Sequence, residues 1–119
     1  MEKISNKIKK YQKALALYVE KLAEERNNSL GSDKGYLPVT DFVHNQFQLV
    51  QASWLGNKYR YHILLHLNIN QETGNVWILQ NNTEVDLEED FELMNIPKSS
   101  IVLGFRPLEM RELSKYAVA

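Results

Sequence analysis

Two histidines, His62 and His66, stand four residues apart and invite a metal reading. On a helix that spacing would put both imidazoles on one face. They fall instead inside a run of alternation. Tyr59, Tyr61, Ile63, Leu65, Leu67 and Ile69 take the odd positions, and Arg60, His62, Leu64, His66 and Asn68 the even ones. A period of two is a strand with one apolar and one mixed face. Four strand residues span roughly 13 Å at about 3.3 Å each, whereas zinc holds its ligands at about 2 Å. The two rings therefore cannot grip one ion directly, and His44 could approach only from a neighbouring strand. No metal site is expected.

Other candidate groups are ionic. Glu84, Asp86, Glu88, Glu89, Asp90 and Glu92 crowd one segment. A solvated helix face favoured by the N-terminal dipole accounts for them. A docking surface for a basic partner accounts for them as well, since charge complementarity sets specificity and on-rate. They lack the spacing of a calcium loop. Lys3, Lys7, Lys9, Lys10 and Lys13 could touch phosphate or simply solubilise a helix. Arg106 and Arg111 flank Pro107, close to Phe105 and Tyr116. Arginine beside aromatics is good interface material, and also an ordinary surface. Glu88, Glu92, Arg106 and Arg111 are the partner-binding candidates.

Nucleophilic chemistry has no foothold. The chain has no Cys, no Gly-x-Ser-x-Gly elbow and no phosphate-binding glycine loop; Gly31 and Gly35 lack the lysine and the flanking elements. No catalytic residue and no cofactor are expected.

The elements that would position these groups can be read in order. A helix is predicted from about Lys3 to Glu25, because Ile4, Ile8, Tyr11, Leu15, Tyr18 and Leu22 form one stripe. Asn27 to Gly35 is a loop rich in Gly, Ser and Asn. Val39 to His44 is a weak strand and Phe47 to Leu55 a strong one. The alternating strand follows, then the turn Gln71-Glu72-Thr73-Gly74 and a strand from Val76 to Leu79. Sequential strands with short turns make an antiparallel meander. Thr83 is the expected N-cap of a second helix, with Asp86 in a capping-box-like position and Leu87, Phe91 and Met94 as its apolar side. Asn95 sits where a left-handed residue ends a helix, and Ile96-Pro97 completes the stop. Ile101 to Phe105 is a last strand, and Leu108 to Leu113 a last helical turn.

Bulk properties bound the answer. A chain of 119 residues, 44% apolar and 24% charged, suits one domain spanning 1–119. A net charge of −1 and a pI near 6.3 argue against a free-standing nucleic-acid binder. No apolar run is long enough for a membrane span, and the N-terminal residues lack a signal-like apolar region. A cytoplasmic location is the default expectation.

The order of the segments is more specific than any one of them. Phe47-Gln48-Leu49-Val50 runs to Ser53-Trp54. His66-Leu67-Asn68-Ile69 leads to Gly74-Asn75-Val76-Trp77-Ile78. Thr83-Glu84, Asn95-Ile96-Pro97-Lys98, Ile101-Val102-Leu103-Gly104-Phe105 and Arg111 through Tyr116-Ala117-Val118-Ala119 follow. This series resembles the XisI family of fdxN element excision controlling factors. Ser53 stands where the family usually has Gly, as does Asn95. Arg106-Pro107-Leu108 replaces a common His-Pro-Pro, and Leu113-Ser114 a Tyr-Thr pair.

The resemblance implies a non-enzymatic accessory factor in programmed excision of a DNA element. It also implies an XisH-like companion resembling endonuclease-fold proteins, with recombination chemistry left to a separate recombinase. The expected fold is α+β, a mostly antiparallel sheet of four or five strands with both helices on one face. DNA contact is expected only indirectly. A direct DNA-binding module using the N-terminal lysines, and a small-molecule-binding domain, are the alternatives. If the face carrying Arg60, His62 and His66 is left uncovered by the chain's own helices, a homodimer would bury it.

Overall fold

The computed structural model describes residues 3–119. The apolar stripe near the N-terminus forms helix α1 (Ile4–Asn27). Tyr11, Leu15, Tyr18 and Leu22 of that stripe are buried, and Val19 beside it is buried as well, while Ile4 at its start stays exposed. The helix runs two residues past Glu25. Its end is tied down where Asn27 Oδ1 accepts from the Tyr36 backbone N–H and Asn27 Nδ2 donates to the Tyr36 carbonyl.

Five strands follow: β1 (Tyr36–Asp41), β2 (Gln46–Leu55), β3 (Lys58–Ile69), β4 (Val76–Asn81) and β5 (Ile101–Leu103). They lie side by side in sequence order. The first four are antiparallel. β5 is parallel to β4, because helix α2 (Leu87–Leu93) and a short 3-10 turn carry the chain back before it pairs. A four-residue helix, α3 (Leu108–Arg111), precedes the tail, whose Ala117 makes one parallel bridge to Val102.

The first strand begins three residues earlier than its apolar content suggests and ends at Asp41. The Asp41 carboxylate accepts from the backbone N–H groups of Val43 and His44, an Asx turn that stops the strand. Asn45, at φ 57°, completes the reversal.

The second helix is capped differently from expectation. Asp86, not Thr83, is the N-cap, and its side chain accepts from the Glu89 N–H. Thr83 belongs to the preceding turn, where its hydroxyl accepts from the Val85 N–H. The other end follows expectation. Asn95 has φ 60°, Ile96 N–H donates to the Phe91 carbonyl, and Asn95 N–H donates to that of Glu92. This is the Schellman arrangement.

Both α1 and α2 pack on the same sheet face. Leu15, Val19, Phe47, Leu49, Leu65, Leu67, Phe91 and Ile101 are among the residues of that core. Each such side chain contributes about 1.5–3 kcal/mol on burial.

The alternation of β3 does not keep one face throughout. Leu49 pairs with Leu65, but the next residue, Val50, pairs with Ile63, so Leu64 is an extra residue in a bulge. Leu64 packs towards the core together with Leu65. A bulge switches the parity of a strand relative to its partner. Leu65, Leu67 and Ile69 face the helices, whereas Tyr59, Tyr61 and Ile63 face the other side. Arg60 and His62 thus share the helix side, and His66 lies on the opposite face. The mixed face expected for Arg60, His62 and His66 is split in two.

Candidate functional site

Helix α2 is held from both sides. Leu87 and Phe91 enter the core, and Tyr18 of α1 donates its hydroxyl to Asp90 Oδ2 at 2.5 Å. Burial, then that hydrogen bond, raises the Tyr18 phenol far above its ordinary value. With its inner side committed, α2 turns Glu88 and Glu92 outward.

Glu88 meets Lys98, which the 3-10 turn after Pro97 brings to 2.8 Å. The hydrogen bond from Lys98 holds the Glu88 carboxyl below the usual carboxylate range. The same bond raises Lys98. Tyr116, from the tail, stands at the same spot. Burial pushes its phenol up, and the Glu88 charge adds to that. A carboxylate, an ammonium and a phenol therefore converge from α2, the 3-10 turn and the C-terminal segment. Glu92 lies one turn further along the helix.

Two clefts flank this cluster. One, of about 500 Å³, is lined by Ile78 to Asn82 of β4 and the residue after it, by Leu87, Glu88 and Phe91, and by Leu103, Phe105 and Tyr116. The other, of about 510 Å³, is lined by Glu88, Glu92, Asn95, Ile96, Pro97 and Lys98. Glu88 and Ile101 border both. The pairing of β4 with β5 ends at Ile78 opposite Leu103. Leu79, Gln80 and Asn81 consequently have no strand beside them on that edge among the described residues. The first cleft combines a free strand edge, an apolar floor and a charged rim.

The two arginines differ. Arg106 is exposed and its guanidinium lies 5.4 Å from the ring centroid of Phe105, which lines the first cleft. Arg111 is half-buried. Its guanidinium lies 5.0 Å from the Trp77 ring centroid, and Nη1 donates to the Val118 carbonyl at 2.7 Å. It anchors the tail to the sheet. Glu88, Glu92 and Arg106 are accordingly the candidates with outward-facing charge around one region, and Arg111 supports that region from beneath. The pairing of Lys98 with Glu88 carries no sequence signal: Lys98 lies ten residues away on a turn whose placement depends on packing.

The other sequence candidates are dispersed. Lys7 is engaged by the β3–β4 turn, where Nζ donates to Asn75 Oδ1 at 2.8 Å. His66 Nε2 pairs with Gln46 Oε1 at 2.7 Å, and burial lowers its pKa. His62 faces the other side of the sheet. Among the described residues no group of three or more His, Asp or Glu side chains could hold a metal ion, and no helix is long and apolar enough to cross a membrane.

Comparisons with known proteins converge on one family. The family model described as XisI protein matches residues 5–118. The crystal structure of the fdxN element excision controlling factor XisI from Anabaena variabilis is 28% identical, with a TM-score of 0.75 over 95% of this chain and 99% of that one. A XisI-like protein from the same organism is 26% identical, with a TM-score of 0.81 over 94% and 99%. Among proteins with curated descriptions, none matches.

Proposed function

The chain belongs to the XisI family, and on that premise we propose that it is a non-enzymatic controlling factor of DNA element excision that works by binding an XisH-like, endonuclease-fold partner. The likeness to a structure named as an excision controlling factor supports the first half of this reading. The observation that carries the second half is the cleft beside the free edge of β4, lined by Glu88 and Tyr116, with Lys98 paired to Glu88.

An extended segment of the partner adds its backbone to the β4 edge at Leu79 to Asn81. Its apolar side chains rest on Ile78, Phe91 and Leu103. A basic partner side chain reaches Glu88 and Glu92, and an acidic one reaches Lys98 or Arg106. Charge at the rim selects the register, and apolar contact on the floor supplies affinity.

The test is co-purification with the XisH-like protein, with mass measured by light scattering. A stable complex is expected, and Glu88→Lys with Glu92→Lys weakens it while leaving the melting temperature nearly unchanged. Arg106→Glu tests the other side of the cleft. Two separate peaks for the unmodified proteins overturn the reading.

A further inference from the structure

The sheet face away from the helices is covered at one end only. Around Trp77 the Arg111 guanidinium and the tail lie against it. Over β1 to β3 none of the described helices covers it. Because of the bulge at Leu64, this open region collects Trp54, Tyr59, Tyr61 and Ile63, together with Leu37 and Val39 of β1. Trp54 is 64% exposed, Tyr59 52% and Tyr61 63%. The rings already touch: Trp54 and Tyr59 have centroids 5.0 Å apart, and Tyr59 and Tyr61 are stacked at 6.3 Å.

We infer that this face is a homodimer interface, in which the Trp54, Tyr59 and Tyr61 cluster of one chain packs against the same face of a second copy. Three observations point to a second copy rather than to another partner.

The first is charge. The register puts Lys58, Arg60 and His62 on the helix side of β3. On β2 and β3 the outer face carries no Lys, Arg, Asp or Glu. On β1 its only carboxylate, Asp41, sits at the far end beside His44. Two-fold symmetry sets identical patches against each other. The β2–β3 part of the face, free of these charged residues, suffers no like-charge repulsion in that arrangement, and depletion of charge with enrichment in aromatics marks the centre of interfaces. The same absence of cations disfavours a nucleic-acid strand stacked on the rings, which needs basic groups along its backbone.

The second is area. Three rings of about 150–250 Å² each, just over half exposed, together with the aliphatic neighbours, present on the order of 500 Å² of apolar surface. Two copies then bury about 1,000 Å², the lower bound for a specific interface.

The third is the shape of the ribbon. β1 pairs with β2 only as far as Gln51, and the segment before it reaches Ala52 and Ser53 through Gly35 and Asp33, so Trp54–Leu55 and Lys58–Tyr59 project as a two-stranded tip. Such a ribbon has little stability by itself, and a second copy laid across it supplies the missing packing. The surface lies on the opposite side of the sheet from the partner-binding candidates at α2, so the two proposals stand independently.

Light scattering of the full chain by itself tests the inference. The expected mass is twice 13.9 kDa. Trp54→Arg and, separately, Tyr61→Lys weaken dimerisation by roughly 30-fold or more. Leu17→Arg, on the exposed flank of α1, leaves the dimer intact. Circular dichroism checks that each variant is folded, and the mass of the unmodified chain decides the matter even if one variant is not. A monomer at submillimolar concentration overturns the inference. So does a dimer that survives both substitutions, or a monomer that binds a single-stranded oligonucleotide through these rings.

Discussion

Tyr18 on α1 donates its hydroxyl to Asp90 on α2 at 2.5 Å, while its ring lies 6.5 Å from that of Phe91. One side chain thus fixes both the distance and the rotation of the second helix, and with them the outward aim of Glu88 and Glu92. A hydrogen bond to a charged group contributes about 1.5–3 kcal/mol. Tyr18→Phe is expected to lose about 1–2 kcal/mol of stability in urea titrations, because the site is only part-buried. A double-mutant cycle with Asp90→Asn should show strong coupling, and additive losses would contradict the direct contact.

The same phenol predicts behaviour in alkali. Its folded pKa is raised above the unfolded value of about 10. Its contribution is complete below that value and is lost as pH rises above it. Alkaline unfolding should be delayed to higher pH in Tyr18→Phe when each protein is compared with its own stability at neutral pH. Equal losses in both proteins would contradict this linkage.

Acid acts on a different set. The Ser53 hydroxyl holds Asp33 low, the His44 backbone N–H holds Asp41 low, and Lys98 holds Glu88 low. Groups with depressed folded pKa values contribute above their unfolded values, about 3.9–4.3, and lose that contribution as pH falls through the folded ones. Stability should decline below about pH 4, and Glu88→Gln should flatten part of the decline. Equal acid sensitivity in that variant would show that Glu88 and Lys98 are not paired in solution.

Asn95 adopts φ 60° to close α2. Asn95→Gly should be neutral or slightly stabilising. Asn95→Ala should cost about 1 kcal/mol, because a β-carbon resists the left-handed region. Thermal melts of the two variants check the order, and a reversed order would contradict the Schellman assignment.

Gly35 sits against the β2 backbone. A β-carbon there would lie 2.2 Å from Ser53 Cβ and 2.7 Å from the Ala52 carbonyl oxygen. Gly35→Ala should cost at least about 1–3 kcal/mol, the range for overpacking. It should also release the Asp33–Ser53 hydrogen bond of 2.8 Å. A melting temperature equal to that of the unmodified chain would show that the loop can move away freely.

Local signals carried most of the architecture. The stripe from Ile8 to Leu22 specified α1, period two specified β3, and Asn95-Ile96-Pro97 specified the end of α2, because each rests on residues within a few positions of one another. The α+β fold with both helices on one sheet face follows from those elements. The local pattern points to Thr83 as the cap of α2 and the structure uses Asp86, because both residue types suit that position and only the path of the chain chooses between them.

The set of elements, their order and the family resemblance are all legible in the run of residues along the chain. Tertiary structure alone decided which faces are left over. The bulge at Leu64 is a property of two paired strands, not of either one, so the alternation of β3 could not reveal that Tyr59, Tyr61 and Ile63 part company with Leu65, Leu67 and Ile69. The meeting of Glu88 with Lys98, and of Arg111 with Trp77 and Val118, likewise depends on long-range packing. A side chain's local spacing states its periodicity, but its partner is chosen by whichever distant segment the core brings within reach.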